Sequence, residues 1–275
     1  STPLYSSAAS DVYKRQLKHC PVFLDDKEVL PGTETPVNHL HPDQEWYTTD
    51  VFTDYALHFI DESFKKYPDK PFFLYVAHNA PHFPLHAREE DTKKYRGRFR
   101  DVGWDKLRQK RYERMVKLGL ISREWALSPL DVPKWETYDA RLRDELDLKM
   151  ALYSAIIDRM DHNIGRVVEK LRSAGRLDNT LILFMVKNGV PGAGVHDRRG
   201  LYGKNGRHPE TRVDNYAEWG RRGGWSSSSG RGWANLSNAP FRMYKRYTHE
   251  GGVATPLIVH WPAGMKAVSY THLTL

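Results

Sequence analysis

Residues 180–189 read TLILFMVKNG, a short apolar run that ends in a lysine, an asparagine and a glycine. A run of roughly seven apolar residues bounded by turn residues is typical of a strand that is buried on both faces. Residues 71–77 (PFFLYVA) and 255–261 (TPLIVHW) have the same pattern. Helical patterns begin near Thr48 and near Asp144. The alternation predicts an α/β fold, with a layered, mixed or mostly parallel sheet flanked by helices.

Polar segments lie next to each of these predicted strands. His82 follows the first strand, and Lys187, Asn188 and a glycine follow the second. Residues 244–252 (YKRYTHEGG) precede the third. Because ligands of α/β sheets bind beyond the carboxyl ends of strands, we expect the three segments to converge on one edge of the sheet.

The composition excludes several classes of protein. The single cysteine, Cys20, rules out an internal disulfide and a cysteine-based zinc cluster. Across the sequence, no apolar run approaches the roughly 18 residues of a membrane-spanning helix. The net charge of +8 favours anionic partners. Because the sequence contains no RNA- or DNA-binding motif, we expect no nucleic-acid partner; the oligomeric state stays open.

Two basic regions interrupt the α/β pattern. A helical insert spans about residues 85–147, and a Gly/Arg/Ser-rich loop spans about residues 189–238. Each either steers an anionic substrate or is simply a solvated surface. The tryptophans of the loop either line a substrate rim or anchor the loop; they are Trp219, Trp225 and Trp233.

Three motifs, in order along the chain, resemble the arylsulfatase family of the alkaline phosphatase superfamily. They are residues 70–84 (KPFFLYVAHNAPHFP), residues 178–184 (DNTLILF) followed by Asn188-Gly189, and Lys245 followed by residues 249–256 (HEGGVATP). The resemblance implies an alkaline-phosphatase-like fold, with residues 17–266 as a partial sulfatase domain. Residues 1–16 and 267–275 match nothing in it, and we interpret them as non-native tails of a truncated chain, or else as frayed termini.

The resemblance also implies a chemistry and a set of site residues. Family members use a formylglycine, made from Cys or Ser in a Cys/Ser-x-Pro/Ala-x-Arg motif, as the nucleophile, together with a calcium ion. His82 matches the histidine that hydrogen-bonds sulfate near the leaving-group oxygen, and Lys245 matches the lysine that bridges sulfate and assists departure. Asn188 matches an amide ligand of calcium. The alternatives are a turn histidine, a solvated lysine and an Asn-Gly turn.

The sequence departs from the family pattern at two places. It contains no Cys/Ser-x-Pro/Ala-x-Arg motif, and Cys20 is followed by Pro-Val-Phe-Leu. We therefore expect the nucleophile to lie before this region and this chain alone to be inactive. Lys187 stands where the family has the aspartate of Asp-Asn-Gly, and an ammonium group cannot ligate calcium. Either the metal has been lost, or Lys187 contacts sulfate directly, or the residue is a sequence error.

The resemblance thus predicts a sulfuric ester hydrolase fragment that acts on a sulfated small molecule or a sulfated glycan. The alternatives are a non-catalytic protein that binds sulfated glycans and a phosphate ester hydrolase of the same superfamily. Sulfatases of this kind are often exported, so a periplasmic or secreted location is expected.

Overall fold

The computed structural model describes residues 22–24, 27–29, 47–83, 85–192 and 228–265. The two predicted tails, Trp219 and Trp225 lie outside these residues. The chain divides into two units, each of which is described by itself. Among the described residues, the first unit contains 22–24, 27–29, 47–83, 85–94 and 152–170. The second unit contains 95–151, 171–192 and 228–265.

The helices and strands follow one another in this order: β1 (Val22–Leu24), β2 (Lys27–Val29), α1 (Thr48–Lys66), α2 (Glu89–Lys93), α3 (Gly103–Lys117), a 3-10 helix (Trp135–Thr137), α4 (Ala140–Ser173), β3 (Ile182–Met185), α5 (Arg231–Ser237), α6 (Glu250–Val253) and β4 (Leu257–His260). The predicted start of α1 at Thr48 is confirmed. Helix α4 ends just before Gly175, whose φ of +67° is typical of a left-handed helix cap. None of the described helices is long and apolar enough to cross a membrane.

The first unit is held together by buried charge pairs on α1 and α4. The carboxylate of Asp50 accepts hydrogen bonds from Arg88 (2.8 Å), Arg159 (2.8 Å) and Asn163 (2.7 Å). Burial alone would raise the pKa of Asp50, but the bonds from Arg159 and Asn163 and the two guanidinium charges hold it below its usual value. A carboxylate satisfied in this way fixes the position of the start of α1 against α4.

The core of the second unit is built from tryptophans. Its buried residues are Trp104, Trp135, Leu146, Trp233 and Leu236. The Trp104 ring lies edge-on to the Trp135 and Trp233 rings, with centroids 4.7 and 5.4 Å apart, a favourable aromatic geometry. The Trp233 indole N–H donates to the Leu146 carbonyl oxygen at 2.9 Å. Trp233 therefore anchors its segment and lines no substrate rim.

The loop predicted over residues 189–238 ends in a helix. Residues 231–237 form α5, which carries Trp233 into the core. Sequence composition favoured a loop here because glycine, serine and arginine surround the tryptophan, whereas burial of the indole ring stabilises the helix. Residues 193–227 of the predicted loop lie outside the described residues.

In the described part of the chain, the strands form two antiparallel pairs and not the predicted layered sheet. Strands β3 and β4 pair antiparallel, with Met185 opposite Leu257, and β1 and β2 form a second antiparallel pair. Residues 71–77 form no strand, and Phe73 is 92% exposed. In the part of the chain that the structure describes, no strand pairs with residues 71–77. One face is partly covered, with the Phe72 ring edge-on to Phe64 of α1 at 5.5 Å, and the other face is exposed.

Candidate functional site

Two loops carry the residues predicted for the site in the second unit. The asparagine loop, residues 187–192, follows β3, and the lysine loop, residues 238–252, precedes β4. Met185 at the end of β3 lies opposite Leu257 at the start of β4. The asparagine loop therefore leaves the sheet at the same end at which the chain returns from the lysine loop.

Backbone hydrogen bonds join the two loops directly. The Gly189 N–H donates to the Gly252 carbonyl oxygen at 3.1 Å, and the Lys245 N–H donates to the Val190 carbonyl oxygen at 3.3 Å. Asn188 precedes the first of these donors in the chain, so the structure brings Asn188 and Lys245 into one pair of loops. The sequence prediction placed them together on a sheet edge; here loop-to-loop hydrogen bonds position them.

Asn238 is the side chain that links the loops, and the sequence analysis did not identify it. Its Oδ1 accepts the Val190 N–H at 2.8 Å. Its Nδ2 donates to the carbonyl oxygens of Val190 (3.1 Å) and Met243 (3.2 Å). Asn238 is buried, so these three bonds replace water at groups of both loops. The only signal in the sequence is its position seven residues before Lys245.

The glycines of both loops allow the backbones to approach closely. A Cβ atom on Gly189 would lie 1.8 Å from the Gly251 carbonyl oxygen. A Cβ on Gly251 would lie 2.2 Å from the Met243 oxygen, and one on Gly252 would lie 2.2 Å from the Tyr247 oxygen. Real Cβ atoms do not tolerate such distances to backbone atoms, so the Gly-Gly pair of the lysine loop is a packing requirement.

The backbone on both sides of Lys245 adopts an uncommon conformation. Met243 has φ +69° and Arg246 has φ +84°, and these are the two non-glycine residues with positive φ in the described part of the chain. Such conformations cost about 1–3 kcal/mol each and persist where the surrounding structure enforces them.

The residue before Lys245 is anchored in the protein interior. The buried Tyr244 hydroxyl donates to a carboxylate oxygen of Asp131, which also accepts from Asn235 at 3.1 Å. Burial raises the pKa of Tyr244, and the bond to Asp131 and its charge raise it further. The tyrosine therefore stays neutral and fixes the start of the Lys245 segment. The sequence analysis assigned no role to Asp131 or to Tyr244.

The electrostatic environment of Lys245 is strongly positive. Partial burial lowers the pKa of Lys245, and the positive charges of Lys187 and Arg246 lower it further. Neither Lys187 nor Arg246 forms a salt bridge with a residue that the structure describes. The loops thus concentrate positive charge around a half-buried lysine.

This environment does not fit a calcium ion. Calcium requires six to eight oxygen ligands, mostly carboxylate and carbonyl. The Asn188 amide Nδ2 donates to the Gly189 carbonyl oxygen at 2.9 Å, and the neighbouring Lys187 supplies an ammonium group. Among the residues that the structure describes, no group of three or more His, Cys, Asp or Glu side chains could hold a metal ion. Within the described ranges, Asn188 therefore has no carboxylate partner with which to bind calcium.

His82, the third predicted site residue, belongs to the first unit. Its backbone N–H donates to the Asn79 carbonyl oxygen at 2.9 Å, and its ring Nδ1 lies 2.7 Å from the Phe83 carbonyl oxygen. A carbonyl oxygen only accepts, so Nδ1 must carry the proton. Nε2 is then an acceptor in the neutral ring and a donor in the imidazolium. The geometry suits a turn histidine and a sulfate-binding histidine alike.

A second histidine of this segment was not identified from the sequence. His78 Nδ1 is buried and accepts or donates no hydrogen bond among the described residues. Burial lowers the pKa of His78 to about 4, against an opposing effect of the Asp50 charge. The His78 ring is therefore neutral at pH 7.

Comparison with known proteins identifies the family. The sulfatase family model matches residues 13–274, and the chain belongs to the sulfatase family. It is 32% identical over 236 residues to an uncharacterized sulfatase of Schizosaccharomyces pombe, covering 84% of this chain and 41% of that protein. It is 33% identical over 197 residues to an arylsulfatase of Klebsiella aerogenes, covering 70% of this chain and 41% of that protein.

The chain is also similar to a human sulphohydrolase and to a solved structure of a putative sulfatase. The chain is 31% identical to human N-sulphoglucosamine sulphohydrolase over 128 residues, covering 45% of this chain and 22% of that enzyme. A crystal structure of yidJ from Bacteroides fragilis matches with a TM-score of 0.43 and 15% identity, covering 81% of this chain and 33% of that one. The family assignment rests on the sequence matches. The chain spans about two fifths of the length of the first two relatives.

Proposed function

We propose that the protein to which this chain belongs hydrolyses a sulfate monoester. Membership of the sulfatase family supports this function. The observation that carries the proposal is the pair of backbone-bonded loops that brings Lys245 next to Asn188 and Lys187. A sulfated small molecule or a sulfated glycan would be the substrate, and export to the periplasm or the medium would suit both.

The chemistry of a sulfate ester suits the residues in hand. A sulfate monoester has little basicity, so its hydrolysis requires donors at the sulfuryl oxygens and at the departing ester oxygen. We assign Lys245 to both positions. Its lowered pKa brings the ammonium group closer to neutrality and makes it a better proton donor than an ordinary lysine. His82 lies in the first unit, and its role at the leaving-group oxygen comes from the family resemblance alone.

The family resemblance is the sole basis for expecting a formylglycine nucleophile and a calcium ion. A formylglycine hydrate supplies the attacking oxygen in the family, and this sequence has no motif from which it could be made. Calcium does not fit the described residues around Asn188, so no step is assigned to it. The residues of this chain bind the sulfate group and assist the departure of the alcohol.

The test is an assay of the protein expressed from the complete reading frame that encodes this chain. We expect 4-nitrocatechol sulfate to be hydrolysed with a higher kcat/KM than 4-nitrophenyl phosphate. Lys245→Gln should lower kcat/KM by about 100-fold, which corresponds to about 3 kcal/mol of transition-state stabilisation. Lys110→Gln, which changes an exposed lysine of α3, is the matched control and should leave activity unchanged.

Two other results would assign a different function. Faster hydrolysis of the phosphate ester would make the protein a phosphate ester hydrolase on the same scaffold. The second candidate is a non-catalytic protein that binds sulfated glycans, and Lys187 beside Asn188 favours it. That candidate predicts glycan binding without turnover of either ester. A pocket would bind glycan with less salt dependence than a solvated basic surface.

A further inference from the structure

We propose that Lys187, Lys245 and Arg246 bind the sulfate group as a cationic cluster that needs no divalent metal, with the Lys187 ammonium taking the place of the cation. The inference rests on the proposed function, because it concerns how the same pair of loops holds its anion. It goes further in specifying that the anion is bound when calcium is absent.

The charges of the two loops support the inference. Residues 187–192 and 238–252 contain the cations Lys187, Arg242, Lys245 and Arg246 and a single acid, Glu250, so their net charge is 4 − 1 = +3. The carboxylate of Asp131, which lies against Tyr244, is engaged in hydrogen bonds to Tyr244 and Asn235. A sulfate monoester, with one negative charge, or inorganic sulfate, with two, would offset part of this excess.

Backbone hydrogen bonds keep the two chain segments that carry these cations next to each other. The Lys245 N–H is bonded to Val190, and Asn238 bonds to both loops. Arg246 follows Lys245 directly and has φ +84°. Electrostatic preorganisation of this kind is typical of sites whose charge complements that of a ligand.

A divalent cation would be repelled by the same arrangement. Like charges at close range repel each other. After burial, the positive charges of Lys187 and Arg246 lower the pKa of Lys245, and they would repel a divalent cation in the same way. In the described residues no group of three or more His, Cys, Asp or Glu side chains could hold the ion. The arrangement that disfavours calcium is therefore the one that favours a bare oxyanion.

The test is calorimetric titration of this chain with sodium sulfate at constant ionic strength, once with EDTA and once with calcium chloride. The wild-type chain should bind sulfate with the same affinity, within about twofold, in both buffers. Lys187→Gln should weaken binding by at least about tenfold, which is the effect of losing one charge-assisted contact. Lys110→Gln is the matched control and should bind like the wild type. Because Lys187 is exposed, its replacement should leave the fold intact, and circular dichroism checks this.

The outcomes separate this inference from the proposed function. Sulfate binding that requires calcium, or that is unchanged in Lys187→Gln but lost in Lys245→Gln, would overturn the metal-independent cluster and leave the sulfate site in place. Absence of sulfate binding under both conditions would overturn the cluster and remove the support that these loops give to the proposed function. Loss of binding in both lysine variants, with EDTA present, would support both.

Discussion

Replacing Asn238 with alanine should loosen the connection between the asparagine loop and the lysine loop. The substitution removes three hydrogen bonds, at 2.8, 3.1 and 3.2 Å, from a residue that is 8% exposed. Each such bond contributes about 1 kcal/mol net, so we expect a loss of about 3 kcal/mol in the free energy of unfolding. Asn238→Asp keeps the acceptor for the Val190 N–H but faces two carbonyl oxygens with a carboxylate, so it should cost a similar amount.

The measurement is urea unfolding of both variants, with Asn179→Ala as the control because Asn179 is exposed. The control should change stability by less than about 0.5 kcal/mol. Sulfate affinity should also fall in Asn238→Ala. The substitution removes the hydrogen bond to the Met243 carbonyl oxygen, which holds the backbone two residues before Lys245. A loss below about 1 kcal/mol together with unchanged sulfate affinity would refute the assignment of Asn238 as the link between the loops.

Two further predictions concern buried charges outside these loops. Asp147 is fully buried and accepts from the N–H groups of Gly97, Phe99 and Arg100 and from the Arg96 guanidinium. Asp147→Asn should therefore destabilise the chain by about 3 kcal/mol in urea unfolding, and an unchanged midpoint would contradict this. Burial lowers the pKa of His78 to about 4 in the folded chain, below its value in the unfolded chain. As the pH falls, the imidazole is therefore protonated in the unfolded state before it is protonated in the folded state, which favours unfolding. Stability should fall by up to about 3 kcal/mol from pH 6.5 to pH 4, and His78→Asn should remove that component.

The sequence predicted the helices well and the sheet poorly. The apolar stripes of α1 and α4 require one buried face, which a helix can find against few neighbours. The apolar run at residues 71–77 needs partners along both edges and layers on both faces, and periodicity says nothing about whether they are present. In the described residues, no strand pairs with this run and one of its faces is only partly covered. Strand β4 is present where it was predicted and pairs with β3, but its four residues are exposed and not buried on both faces.

The site shows the same division between local and long-range information. Lys187, Asn188 and Lys245 were each singled out by a short motif whose residues are neighbours in the sequence. Asn238 was not identified, because its role depends on hydrogen bonds to Val190, 48 positions away. A buried asparagine looks like any other asparagine in a sequence, and only the folded chain shows which backbone groups it satisfies.

The central claim is that sulfate binds at Lys245 and Lys187 between the two loops. The most direct measurement is carbon-13 NMR of the reductively methylated lysines during a sulfate titration, with Lys187→Arg and Lys245→Arg to assign the signals. We predict that Lys245 titrates below the exposed lysines, that its pKa rises when sulfate binds, and that Lys187 shifts at the same sulfate concentration. Lys110 and Lys117 should not shift. If Lys245 titrates with the other lysines and sulfate shifts all signals equally, the claim is wrong.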